Sequence, residues 1–266
     1  MIDLKRRKSF LNVRELFFAD STSVEPEGED LQYFIQAAAP GRGGGQFLSS
    51  MVALGDDEAL LLANVRKGFA YEIRRAHERD LISPIIQAAP DDQQIERFCT
   101  FFDAFAAAKS LGPANHAKLR VLARSTSLVL AASVQEGRPE HWFSAHAYIC
   151  DGMRARLLYS AGNVGLDDPE QRKVLGRANK LLHWNMIQYF KQRGFGRYDF
   201  GGISKSAALK AVDDFKEGFG GRELIEYNYL LGITPLGKLC VFGFGTLEKL
   251  KAALQARKKR RHAHVP

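Results

Sequence analysis

The sequence predicts a mixed α/β (α+β) fold, a central sheet flanked by helices. Three observations carry that prediction. From residue 92 the order reads helix, helix, three strands, long helix, strand, short helix, then further strands. Asp151-Gly152 stands between two apolar runs, a strong two-residue hairpin signal. Asp168-Pro169-Glu170-Gln171 opens a long helical stretch, with a cap, a proline at the first helical position, and glutamine three residues after the cap.

Residues 9–20 and Leu31 to Ala38 read as strands, with a polar loop between them. Pro40 to Gly45 is a glycine-rich break, a mobile surface loop or a cradle for a phosphate. Asp56 to Arg79 reads as helix, with Phe69, Ile73 and Ala76 on one face at i, i+4, i+7. Arg66, Arg74 and Arg75 lie off that stripe, to hold a phosphate or to be solvated. Pro84 and Pro90 bracket a linker, which places a boundary near residue 90. Residues 92–111 form a helix capped by Asp91 or Asp92, with Ile95, Phe98, Phe102 and Phe105 as its core stripe. A shorter helix covers 115–124. Ser127–Val134, Trp142–Cys150 and Met153–Ser160 make a three-strand meander. The helix from Asp168 runs to about Arg193, where Gly194 ends it, with Leu175, Ala178, Leu182, Met186 and Tyr189 along one face. Phe195–Phe200 is a strand and 204–216 a short helix. Glu223–Leu231 and Lys238–Phe244 read as closing strands, and 246–260 as a basic helix.

The chain has 266 residues, with 45% hydrophobic and 26% charged, which places it among globular proteins. No apolar run reaches the roughly 18 residues a membrane span needs. The basic N-terminus has no apolar signal core behind it, so the expected location is cytoplasmic. Cys99, Cys150 and Cys240 are far apart and odd in number, which fits buried thiols rather than disulfides or a zinc site. The net charge is +8. Much of it follows Glu248, where Lys249, Lys251, Arg257, Lys258, Lys259, Arg260 and Arg261 stand without an acid. That run is a solvated helix end, or it meets RNA phosphates or an anionic membrane surface. No Gly-x-Ser-x-Gly elbow and no His-Glu-x-x-His spacing is present, which argues against a serine hydrolase and a zinc peptidase.

Chemistry concentrates in two segments. In Tyr198-Asp-Phe-Gly-Gly-Ile-Ser204, a strand ends at Gly201 and Gly202, which allow a ligand close to the backbone. Asp199 accepts a hydrogen bond there or anchors the following loop, and Ser204 closes the segment. In Phe215-Lys-Glu-Gly-Phe-Gly-Gly221, Lys216 can stabilise an oxyanion or meet a phosphate. Phe215 can stack on a base or pack an acyl chain. Phe219 and Gly220 complete the candidate substrate surface, or the segment is a glycine turn with a surface lysine. His183, in Leu-Leu-His-Trp, is a satisfied core histidine or a general base.

These segments, with Asn179-Lys-Leu-Leu-His-Trp184 before them, resemble in content and order the C-terminal part of the Fem-type (FemABX) aminoacyltransferases. The match is firm over about 170–230 and looser over 92–169 and 56–82. It implies a GNAT-like mixed central sheet, with residues 1–90 as a partial, shortened N-terminal GNAT-like half carrying the cationic helix. Residues 91–248 would be the acyltransferase domain and 249–266 a basic helix or tail. The family moves an amino acid from aminoacyl-tRNA to an amine acceptor, often on a peptidoglycan precursor. The resemblance implies that Phe215 and Lys216 face the tRNA acceptor end, that Lys216 supports the oxyanion and leaving hydroxyl, and that no tightly bound cofactor or metal takes part. Arg66 and Arg75 would belong to the substrate surface. Lys173-Val-Leu-Gly176-Arg-Ala178 resembles the loop with which GNAT enzymes hold the pyrophosphate of coenzyme A. The alternative donor is therefore acetyl-CoA or another acyl-CoA, with an amino sugar or other amine as acceptor. A further alternative is a non-catalytic RNA-binding or scaffold protein on a decayed transferase fold.

Overall fold

A computed structural model describes residues 1–55 and 57–243. The basic helix and tail expected after residue 245 lie outside the described residues. The chain divides into two compact units, one holding Met1–Phe47 and the chain from Ile225, the other holding Leu48–Leu224.

The first unit is built from β1 (Ile2–Lys8), β2 (Leu11–Phe17), β3 (Leu31–Ala37) and β10 (Arg222–Gly232). β1 and β2 form an antiparallel hairpin, β2 runs parallel to β3, and β10 returns antiparallel to β3. Its apolar centre is Leu16, Ala19, Phe34, Ala37 and Tyr229, with Tyr229 stacked on Phe34 at 4.5 Å. Gly41 lies so close to that ring that a Cβ would sit 2.4 Å from it, so the glycine-rich stretch is partly a packing device. Buried Arg14 is held by Asp3 and Glu27, which keep its guanidinium charged.

The segment 235–243 is helical where a strand was expected. The reason is local. The Thr234 hydroxyl accepts from the Gly237 amide at 3.1 Å, and Pro235 occupies the first helical position, so cap and proline outweigh the apolar run.

The second unit contains β4 (Gly45–Ala53), α1 (Glu58–Ala63), α2 (Lys67–Glu78), β5 (Ile82–Gln87), α3 (Asp92–Ala108) and α4 (His116–Arg124). It continues with β6 (Leu128–Gln135), β7 (Arg138–Cys150), β8 (Arg154–Gly162), α5 (Pro169–Gln192), β9 (Arg197–Gly202) and α6 (Lys210–Glu217). The strand order is β4-β9-β8-β7-β6-β5. The meander β6-β7-β8 is antiparallel as its hairpin signals predict. β9 joins parallel to β8, with α5 as the crossover between them. The expected caps are present: Asp91 and Gln94 form a capping box on α3, and Asp168 caps α5 by accepting from the Glu170 amide.

The expected boundary near residue 90 does not coincide with the division into units. Ile82–Gln87 is a strand paired with β6, not a linker. The α2 stripe explains why. Ile73 and Ala76 are buried in one core with Val129, Tyr148, Ala178, Leu182, Phe190 and Phe219, and Phe69 packs against it. Residues 52–82 therefore share the core of 129–219. No described helix is long and apolar enough to cross a membrane.

Candidate active site

All of the site lies in the second unit, around the carboxyl end of β9. The β8–β9 ladder is short: Arg154, Ala155 and Arg156 pair with Arg197, Tyr198 and Asp199, and the pairing stops there. A bulge sits in β8 at the same level, since Ala147 faces Tyr159 while Tyr148 faces Leu157. The sheet therefore opens where β9 enters Gly201-Gly202.

Asp199 sets that opening. It is fully buried, and its Oδ2 takes Arg154 Nη2 at 2.6 Å and Nε at 3.1 Å. Its Oδ1 accepts from the Gly201 amide at 2.7 Å. Gly201 has φ +80°, a conformation that favours glycine. Of the two roles the sequence allowed, the contacts match the loop anchor.

Lys216 sits in the last turn of α6 and is only 8% exposed. Its ammonium donates to the Gly202 carbonyl oxygen, which ties α6 to the end of β9. Burial lowers its pKa, partly offset by Asp213 and Asp199. The glycines after it are explained by packing. A Cβ on Gly218 would stand 2.4 Å from the Phe69 ring, and one on Gly221 would stand 2.3 Å from Ser50 Oγ. Gly220 needs φ +77°. These glycines bring Lys216 onto β9; they face protein rather than an open substrate surface.

The two phenylalanines divide. Phe219 is 1% exposed and belongs to the core, whereas Phe215 is half-buried at its rim, their rings 5.3 Å apart. Phe69 of α2 packs on both. Arg66 reaches the same rim: its Cζ lies 5.4 Å from the Phe69 ring and its Nη2 approaches the Asp214 carbonyl at 3.4 Å. Lys180, which the sequence did not nominate, stands over the same ring at 4.9 Å. Ser204 is exposed and bonds Ser206, with its amide directed at Asp213. Arg75 is half-buried on α2, without a described contact to Lys216 or Phe215.

His183 is buried among aromatic rings, 5.1 Å from Phe200, 5.3 Å from Phe215 and 5.6 Å from Phe219. Its Nδ1 meets the Tyr198 hydroxyl at 2.7 Å. That hydroxyl meets Tyr148 at 2.9 Å, and Tyr148 meets His146 Nδ1 at 2.8 Å. Burial holds the His183 pKa well below the ordinary value, and burial pushes His146 down to about 4. Both rings are neutral at pH 7.

A pH prediction follows. Between the free histidine value of 6.5 and about 4, the unfolded chain binds a proton at residue 146 that the folded chain refuses. Stability is therefore full above pH 6.5 and falls as pH falls, by about 3 kcal/mol for His146 alone once below its folded pKa. Urea unfolding at pH 7.5, 5.5 and 4.5 measures this, and the midpoint should drop steadily across the series.

Lys173, Gly176 and Ala178 do not form a phosphate loop. All three lie inside α5, where the backbone amides are spent on helix bonds. Lys173 pairs with Glu170 at 2.7 Å, a Cβ on Gly176 would touch nothing within 4 Å, and Ala178 is fully buried. The helix start carries Asp167, Asp168 and Glu170, and the Asp168 side chain already takes the Glu170 amide. Three acids at a helix N-terminus oppose a pyrophosphate there.

No family model matches the sequence, and no curated protein matches it. Solved structures do match. FemX aligns with a TM-score of 0.55 at 13% identity, covering 72% of this chain and 63% of its own. L-PGS from Bacillus licheniformis aligns with 0.48 at 13% identity, over 80% of this chain and 71% of its own. An aminoglycoside acetyltransferase from an uncultured soil metagenomic sample aligns with 0.38 at 13% identity, over 53% and 88%. This chain spans less than two thirds of the FemX length, at 63%. The likeness to FemX is one of architecture: this chain shares the mixed α/β fold of that structure.

Proposed function

We propose that this protein is an N-acyltransferase that passes an aminoacyl group from aminoacyl-tRNA to an amine by direct attack. The observation that carries the reading is Lys216. A charged ammonium is held almost out of water, fixed on the Gly202 carbonyl at the open end of the sheet, with Phe215 beside it. A preorganised cation of that kind stabilises an oxyanion far better than one in bulk water. In the reaction the amine nitrogen bonds the ester carbonyl carbon, and the carbonyl oxygen gains negative charge beside Lys216. The intermediate then expels the ribose hydroxyl, which takes a proton, while the new amide loses one from nitrogen. Orientation supplies much of the rate. His183 is too weak a base to hold the amine proton at neutral pH, so it serves as a hydrogen-bond acceptor instead.

The donor choice rests on α5. Its acidic start and occupied amides disfavour a coenzyme A pyrophosphate, while Arg66 at the Phe69 rim favours a polyanion passing the site; Lys180 at the same rim is paired with Glu72. The test is direct binding of aminoacyl-tRNA and acetyl-CoA at low salt, followed by transfer to a panel of amines. Retention of tRNA with weak acetyl-CoA binding is expected. Tight acetyl-CoA binding without tRNA retention would sink the donor assignment. RNA binding with no transfer to any amine would favour a scaffold role. The acceptor class is an amine on a peptide, an envelope precursor or a small molecule.

A further inference from the structure

The hydrogen bonds behind His183 have a direction, and one residue sets it. His146 Nε2 lies 2.9 Å from Asn179 Oδ1, an oxygen that can only accept. His146 must donate there. A neutral ring has one N–H, so its Nδ1 is an acceptor and takes the Tyr148 hydroxyl proton at 2.8 Å. Tyr148 oxygen then accepts from Tyr198 across 2.9 Å, because its own proton is spent. Tyr198 oxygen in turn accepts from His183 Nδ1 at 2.7 Å. His183 is thereby left with an unprotonated Nε2, which has no hydrogen-bond partner among the described residues. Its ring packs on Phe200, Phe215 and Phe219, the aromatic box that Lys216 borders. Were Asn179 to present its NH2 instead, every bond would reverse and Nε2 would become a donor.

We propose that Asn179 is a positioning residue. By accepting from His146 it fixes the direction of the His146–Tyr148–Tyr198–His183 chain, so that His183 offers a lone pair rather than an N–H to the site. This rests on the transferase reading, where an acceptor suits the N–H of an incoming amine and a donor would oppose it. The four residues are buried, and half-buried Asn179 holds the outer end of the chain. Neither Asn179 nor His146 has a described contact with Lys216; they reach the site through His183, by the hydrogen bonds and by the His146 ring, which packs on the His183 ring at 4.2 Å.

The experiment has two arms. Nitrogen-15 spectra of histidine-labelled full-length protein at pH 8 report the tautomer of each ring, assigned against a His183→Gln variant. Wild type should show His183 protonated at Nδ1 and His146 protonated at Nε2. Asn179→Asp, an obligate acceptor, should keep both. Asn179→Leu should mix or reverse them. In transfer assays Asn179→Leu should lower kcat by about tenfold with the donor KM unchanged, and Asn179→Asp should restore most of it. Protonation of His183 at Nε2 in wild type, or wild-type turnover by Asn179→Leu beside a dead Lys216→Ala, overturns the proposal and leaves the transferase reading intact. Correct tautomers in a protein that transfers nothing from either donor would overturn the transferase reading, and with it the role of Asn179 in transfer.

Discussion

Lys216→Ala lowers kcat by about 10²–10³-fold, the range seen when one oxyanion donor is lost. The fold survives the change. Alanine is the best helix former and α6 ends there, so local propensity is kept. The Gly202 carbonyl is at an exposed position, where water replaces the lost ammonium. The check is a pair of measurements on one preparation: single-turnover transfer, and thermal unfolding. A variant that turns over near the wild-type rate would show that the chemistry is elsewhere. Loss of activity with an equal collapse of the melting temperature would make Lys216 a strut instead. The pH profile adds a second reading. The lysine is needed charged, and burial lowers its pKa, so turnover should fall on the alkaline side earlier than an ordinary lysine at 10.5 allows.

Asp199→Ala costs about 3–5 kcal/mol of stability, because it removes the buried carboxylate that pairs with Arg154 at 2.6 Å and lies 3.9 Å from Arg156. Arg154 is 5% exposed and Asp199 is fully buried, so solvent offers the cation little relief. The Gly201 amide loses its acceptor in the same step. Urea denaturation should show a lower midpoint with the slope unchanged. Removing Arg154 as well, in Asp199→Ala with Arg154→Met, should recover part of the loss, with Arg156 still lacking the carboxylate. A single variant as stable as wild type would mean that the carboxylate anchors nothing.

Much of the second unit was legible because its signals are local. Caps at Asp91 and Asp168, the Asp151-Gly152 turn and the α3 stripe each involve residues within about three helical turns of one another. The strand at 82–87 is hidden in the sequence because Pro84 looks like a breaker, yet β5 pairs with β6 from residue 82 onward. Only the partner strand, nearly 50 positions away, reveals it: Pro84 faces Ser133. The Lys216 segment was visible by content, but the reason for its glycines was not. Gly218 is fixed by Phe69 and Gly221 by Ser50, both remote in sequence. The buried chain left a trace that went unused. His146 and Tyr148 are two apart on a strand, and Asn179 and His183 are four apart on a helix, so each pair shares a face. Polar residues on two facing apolar surfaces call for each other.

The position of β9 has a consequence for synthesis. It pairs with β8, made some 40 residues earlier, but also with β4, where Met51 lies opposite Asp199. In the first unit β3 likewise waits for β10, with Leu31 opposite Gly232. Leaving the ribosome, β4 therefore has an unpaired edge until residues 197–202 have emerged, and β3 until 227–232 have. Pairings so distant close slowly, and an open edge is a template for the wrong strand. Translation speed and chaperone occupancy should govern the yield of active protein more than its final stability does.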